Sequence, residues 1–136
     1  MNRKLIKSMS TIGLTFFTLT LSGCISSSNP DERMKQLGVK ITDRGDGVVD
    51  LDLSGSNYAD HDFVYLDFFC NDNKRWNSVH TLDLSDTSTT NQLLERLQKR
   101  NSQSRPRMLI LKGTSVTAEA VKQFRAACPD CEVQYE

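Results

Sequence analysis

The chain writes nearly the same phrase three times. "LDLSGS" occupies residues 51–56, "LDLSDT" residues 82–87 and "LILKGT" residues 109–114, at spacings of 31 and 27 residues. Aligned on the leucines, Val48-x-x-Leu51-x-Leu53-x-x-Ser56-x-Tyr58 matches Val79-x-x-Leu82-x-Leu84-x-x-Thr87-x-Thr89, and then Leu109-x-Leu111-x-x-Thr114-x-Val116. The closing "CEVQYE" sets Val133 24 residues after Leu109, as the start of a fourth, truncated copy, with Tyr135 two residues on. In the first two phrases apolar and polar residues alternate, and the third keeps the same spacing of leucines, the period of a short strand with one face buried. After each phrase the period changes to that of a helix. Behind Thr117, an N-cap with Glu119 in the first turn, Ala120, Val121, Phe124 and Ala127 recur at helical spacing. The same register holds Leu93, Leu94 and Leu97 in the second unit and Phe63, Leu66 and Phe69 in the first. A strand with two inward leucines cannot bury them alone, and neither can a helix with one apolar stripe; stacked units close both faces. The strands should be parallel, because each helix returns the chain to the same edge.

This pattern resembles the leucine-rich repeat, L-x-x-L-x-L-x-x-N-x-L, with Ser or Thr where the family usually has Asn or Cys, and with Tyr58 and Thr89 in place of an aliphatic residue. The resemblance implies an α/β solenoid of about three units, with parallel strands each followed by a helix. "NPDERMKQLG" (residues 29–38) carries helix start and stop signals: Asn before Pro, acids in the first turn, Met34 and Leu37 one turn apart, and Gly at the end. Residues 39–53 read as two strands joined by a Gly/Asp turn, a hairpin that would protect the open edge of the sheet. The extra length of the first unit lies in the polar stretch 71–78, whose Trp76 is expected to pack across neighbouring helix ends.

Residues 1–23 stand outside this scheme. Arg3, Lys4 and Lys7 precede an uncharged run, residues 11–21, that is too short to span a bilayer and reads as a signal-peptide core. It ends in "LSGC" (residues 21–24), which looks like a bacterial lipobox. That resemblance implies cleavage before Cys24, acylation of Cys24, and a membrane anchor made of several acyl chains with no transmembrane helix. The bland alternative is an ordinary secretory signal that happens to hold a cysteine. The chain then divides into a signal peptide (1–23), a lipidated N-terminus with a polar tether (24–33) and the repeat domain (34–136). Ile25, where sorting signals for the inner membrane have Asp, implies the outer membrane in a host with two. From Cys24 onward, 14 Lys and Arg stand against 17 Asp and Glu, a formal charge of −3. A mildly acidic domain has no electrostatic footprint for nucleic acid.

No order of Ser, His and Asp and no carboxylate pair suggests catalysis, so the chain is read as a non-enzyme that needs no cofactor. "CPDC" puts Cys128 and Cys131 at the spacing of thiol redox sites, but at the C-terminal end of a helix, where the dipole does not lower a thiol pKa. A loop disulfide or two packed thiols is the structural reading; a periplasmic thiol/disulfide protein is the functional alternative. Cys70 closes a helix two units from Cys128, about 9.5 Å away by strand spacing alone, beyond the roughly 7 Å that a disulfide tolerates. His61 and His80 lack ligand spacing from a cysteine pair, and the Asp/Asn-rich turns lack the terminal Glu of a calcium loop, so no metal is expected. "RGD" at residues 44–46 falls where the hairpin needs turn residues anyway.

The residues between the leucines are free of the core's demand. A period of two puts Asp50, Asp52 and Ser54, then Thr81, Asp83 and Ser85, then Met108, Ile110 and Lys112 on the outer face of successive strands, with Asp52 and Asp83 lateral neighbours about 5 Å apart. An acidic strip merging into an apolar one reads either as a docking surface for a basic, partly apolar segment or as a plain solvated face with Lys112 nearby. The sequence thus points to a lipid-anchored envelope protein that engages an unknown protein or peptide through Asp50, Asp52, Asp83, Met108, Ile110 and Lys112.

Overall fold

The first described element begins at Asn29, whose side chain accepts the amide of Asp31 at 3.0 Å and caps helix α1 (Pro30–Gln36). The structure is a computed structural model and describes residues 29–72 and 76–136. The signal-peptide, lipobox and Cys24 assignments lie outside these residues. Residues 30–33, placed above in the tether, belong instead to α1, where Arg33 reaches Asp62 at 2.7 Å. Pro at the first helical position loses nothing, because that N–H has no helical partner, so the cap signals begin the domain four residues early.

Strands β1 (Lys40–Gly45) and β2 (Val48–Asp52) form the antiparallel hairpin that the Gly/Asp turn predicts. Helix α2 (Phe63–Asp72), strand β3 (Val79–Asp83), helix α3 (Asn91–Gln98), strand β4 (Met108–Ile110), helix α4 (Ala118–Ala127) and strand β5 (Glu132–Gln134) follow. Together they make a mixed α/β fold with one open five-stranded sheet in the order β1-β2-β3-β4-β5, parallel from β2 onward.

The leucines align across this sheet. Leu51 stands opposite Leu82, Leu82 opposite Leu109 and Leu109 opposite Val133, and all four are buried. The second leucines continue the ladder past the strand ends, since the amides of Leu53, Leu84 and Leu111 donate to the carbonyls of Asp83, Ile110 and Gln134 at 2.8–2.9 Å. With Leu66, Leu93, Leu94, Leu97, Val121 and Phe124 from the helices they form one core. One local departure from the phrase alignment occurs in β3. Val79 pairs with Val49, not Val48, and Thr81 pairs with Asp50, which leaves His80 as an extra residue in a bulge. The Thr81 amide is taken up by the Asp50 carboxylate at 3.1 Å.

Each phrase then turns on a left-handed residue, at Gly55 (φ 65°), Asp86 (φ 55°) and Gly113 (φ 66°). The Ser/Thr position closes the turn: the Thr87 and Thr114 hydroxyls donate to the carbonyls of Leu84 and Leu111 at 2.6 and 2.7 Å. Beyond the turn, the units are tied through their helix caps. Asp60 accepts the amide and hydroxyl of Thr90, the N-cap of α3, and Asn91 accepts the amide of Thr117, the N-cap of α4, at 2.9 Å while donating to its hydroxyl at 3.1 Å. Asp60 and Asn91 stand nine residues after Leu51 and Leu82, and both caps stand eight after theirs, so one unit holds the helix start of the next in the same way twice.

Two stability outcomes follow. Thr117→Ala and Asn91→Ala should each lower the unfolding free energy by about 1 kcal/mol, with the double variant losing clearly less than the sum in a urea-denaturation cycle. Gly113→Ala should cost about 1–2 kcal/mol, because its φ is left-handed and a methyl there would run into the Asp86 carboxylate.

Candidate interaction surface

The face of the sheet away from the helices is built by parity. Asp50, Thr81, Met108 and Glu132 form one row across the strands, and Asp52, Asp83, Ile110 and Gln134 the next. The structure therefore brings five of the six expected residues together and makes Asp52 and Asp83 lateral neighbours. Lys112, exposed, follows β4 in the adjoining turn, where its carbonyl accepts the Asp86 amide at 2.8 Å. Met108 and Ile110 are half-buried, with Gln134 Nε2 3.6 Å from the Met108 sulfur.

Two of the acids are not free charges. Arg44 of the hairpin lies 2.5 Å from Asp50, and Lys40 lies 3.6 Å from Asp52. Partial burial opposes ionisation of Asp50, but the Arg44 guanidinium and the Thr81 donors outweigh it and hold the carboxyl below its usual range. Asp52 is lowered chiefly by the Ser54 hydroxyl and amide, 2.6 and 2.9 Å away, and further by Lys40. Asp83 repeats that turn with Ser85, at 2.6 and 2.9 Å, but has no cationic partner among the described residues. Sequence reasoning missed this partition, since nothing in the spacing tells that Arg44 of "RGD" folds back on Asp50.

A concavity of about 450 Å³ lies at the opposite ends of the strands, lined by Trp76, Ser102, Arg105, Arg107 and Asp130 among others. Trp76 is buried, as expected for a packing role: its indole N–H donates to Asp67 at 3.0 Å and Arg100 stacks on its ring at 5.6 Å. Arg105 spends its guanidinium inside the protein, donating to Cys128 Sγ at 2.6 Å and to Asp130 at 2.9 Å, while its Nε is buried without a partner. Cys128 and Cys131 are unbridged and buried. Neither is bridged to Cys70, which is also buried. Desolvation raises the Cys128 thiol despite the Arg105 charge, and burial with Asp130 nearby pushes Cys131 up to about 12. Among the described residues no group of three His, Cys, Asp or Glu is placed to hold a metal ion, and no helix is long and apolar enough to cross a membrane.

The lowered carboxylates make a signed prediction. A carboxyl whose folded pKa lies below its unfolded value contributes stability that is fully present above about pH 4 and is lost as pH falls through the folded pKa. Asp50→Asn should therefore flatten the acid limb of the urea-midpoint profile below about pH 4 and leave its slope above pH 5 unchanged. The thiols make another: Cys128 and Cys131 should alkylate with iodoacetamide at pH 8 far more slowly in the native protein than in urea.

No family model matches the chain, and neither a curated protein nor a solved structure matches it.

Proposed function

We propose that this chain is a lipid-anchored envelope protein, held to the outer membrane through Cys24, whose domain is of leucine-rich-repeat type and captures a protein or peptide on the open face of its sheet. The repeat reading is supported by the in-register row Leu51, Leu82, Leu109 and Val133 together with the recurrent left-handed turn residue and cap tie. The anchor reading rests on "LSGC" behind an apolar run with a basic start. The binding reading is carried by one observation. Asp83, without a cationic partner among the described residues, sits directly beside half-exposed Ile110 on a surface that the core does not use. A cation on the partner would complement Asp83, and an apolar side chain beside it would cover Ile110 and Met108. The pinned Asp50 and Asp52 contribute less than a bare acidic strip would, which makes the partner segment mainly apolar with one well-placed Lys or Arg.

The thiol alternative has little support, because both thiols are held above their ordinary pKa.

The test is crosslinking and pull-down of the acylated chain from its own membranes. Asp83→Asn keeps the acceptor for Ser85 while removing the charge, and Ile110→Gln removes the apolar neighbour. The double variant should lose at least about tenfold in capture, the order expected for a truncated central contact, at an unchanged urea midpoint. Capture that survives both changes would sink this surface as the site. Separately, Cys24→Ser should move the protein from the membrane pellet to the soluble fraction.

A further inference from the structure

The outward faces of the three longer helices are not alike. Thirteen and seventeen residues after the leucines Leu51, Leu82 and Leu109 come positions that point away from the core: Glu95 and Lys99 in the second unit, Lys122 and Ala126 in the third, but Val64 and Phe68 in the first. Val64 and Phe68 are 44% and 52% exposed, and their spacing puts them on one face of α2. Among the described residues the other large apolar side chain this exposed is Ile41 of β1, which belongs to the same end of the sheet. The acid within this turn is already occupied: Asp67 pairs with Arg100 and accepts from Asn71 and Trp76 at 2.9 and 3.0 Å. A free carboxylate there would have opposed contact with anything apolar.

The position of this face is constrained by the chain that leads to it. Helix α1 packs against α2 and begins immediately after Asn29, which stands five residues after Cys24. Five residue steps reach at most about 18 Å. A domain of this size has a radius of gyration of about 13 Å and is roughly 30 Å across. An anchor at Cys24 therefore brings the α1–α2 end to the bilayer more readily than the far end with β5.

From these observations we infer that Val64 and Phe68 are a membrane contact, a two-residue apolar footing that seats the outer face of α2 in the lipid interface beside the anchor. The inference rests on the lipid-anchor reading and adds an orientation to it. Seating the α1–α2 end on lipid leaves α4 and β5, at the other end of the sheet, farther from the membrane.

The test uses the full acylated chain reconstituted in vesicles of phosphatidylethanolamine and phosphatidylglycerol, with and without brominated acyl chains. Phe68→Trp adds a reporter at the footing and Lys122→Trp adds one at the matching position of α4; both sites are exposed, and buried Trp76 gives the common background. Brominated lipid should quench the added emission of Phe68→Trp about threefold more than that of Lys122→Trp, since an interfacial face lies only 5–10 Å deep. Equal quenching of the two reporters in chains that float with the vesicles would overturn the footing while leaving the anchor intact. Failure to float would overturn the anchor reading and the footing with it. Shielding of Phe68→Trp that occurs in native envelopes but not in vesicles would assign the face to a protein occupant and also overturn the proposal.

Discussion

Everything in this molecule depends on keeping one row of side chains in register across parallel strands. A strand alternates its side chains between two faces, so a slip of one residue exchanges the buried set for the exposed one. Leu51, Leu82, Leu109 and Val133 cannot all be buried unless every strand is aligned to the residue. The bulge at His80 shows where an extra residue is absorbed. It lies just before Leu82, so the mismatch between Val49 and Val79 is closed before the core row is reached. The cost is one ladder position, and the amide of Thr81 that would otherwise lose geometry is bonded by Asp50.

The helices need a constraint of their own, because a sheet in register does not set where each helix begins. Here it comes from polar groups. Asp60 and Asn91 each lie on one unit and satisfy the N-cap of the next, which couples helix starts in the way the backbone ladder couples strands. The first unit differs at its buried edge. Asp62, fully buried, stands where the later units have Leu93 and Ala120, and it is neutralised by Arg33 of α1. A buried ion pair is weak evidence for net stability, but removing one partner leaves a charge in the core at a cost of several kcal/mol. It therefore fixes α1 in a single docking position against α2, where an apolar contact would tolerate sliding.

What was legible in the sequence follows from this division. The two periods, two for strands and 3.6 for helices, gave the leucine row, the parity of Asp52 and Asp83, the hairpin and the helical stripes, because these depend only on backbone geometry. Features that depend on side-chain reach across units were not read. The Arg44–Asp50 pair joins residues six apart across the hairpin turn, and the Arg105–Cys128 contact joins residues 23 apart. The cap ties did carry a signal, a polar residue at the same offset as Asp60 and Asn91. Reading it would have required asking what holds an N-cap from outside its own helix. The start of α1 is similarly legible, since Asn29 and Pro30 carry its cap signals.

The parity that freed the outer face also limits what it can recognise. Reading across the second row, Lys40 and Asp52 offset each other, Asp83 carries its charge without a cation among the described residues, Ile110 is apolar and Gln134 is neutral. Within this row the uncompensated charge thus lies at one strand, β3, while Glu132 of β5 carries a second exposed acid in the other row. The Asp83 carboxylate is held rigid by the Ser85 hydroxyl and amide, so a partner's cation would find its acceptor already oriented and little ordering entropy would be lost there. On the binding function proposed above, such a surface would distinguish partners by the placement of one cation beside an apolar side chain, and a generally basic polypeptide would gain little from it. The rigid turn that closes each strand–helix unit for the sake of the core is, at β3, also what would make the face selective.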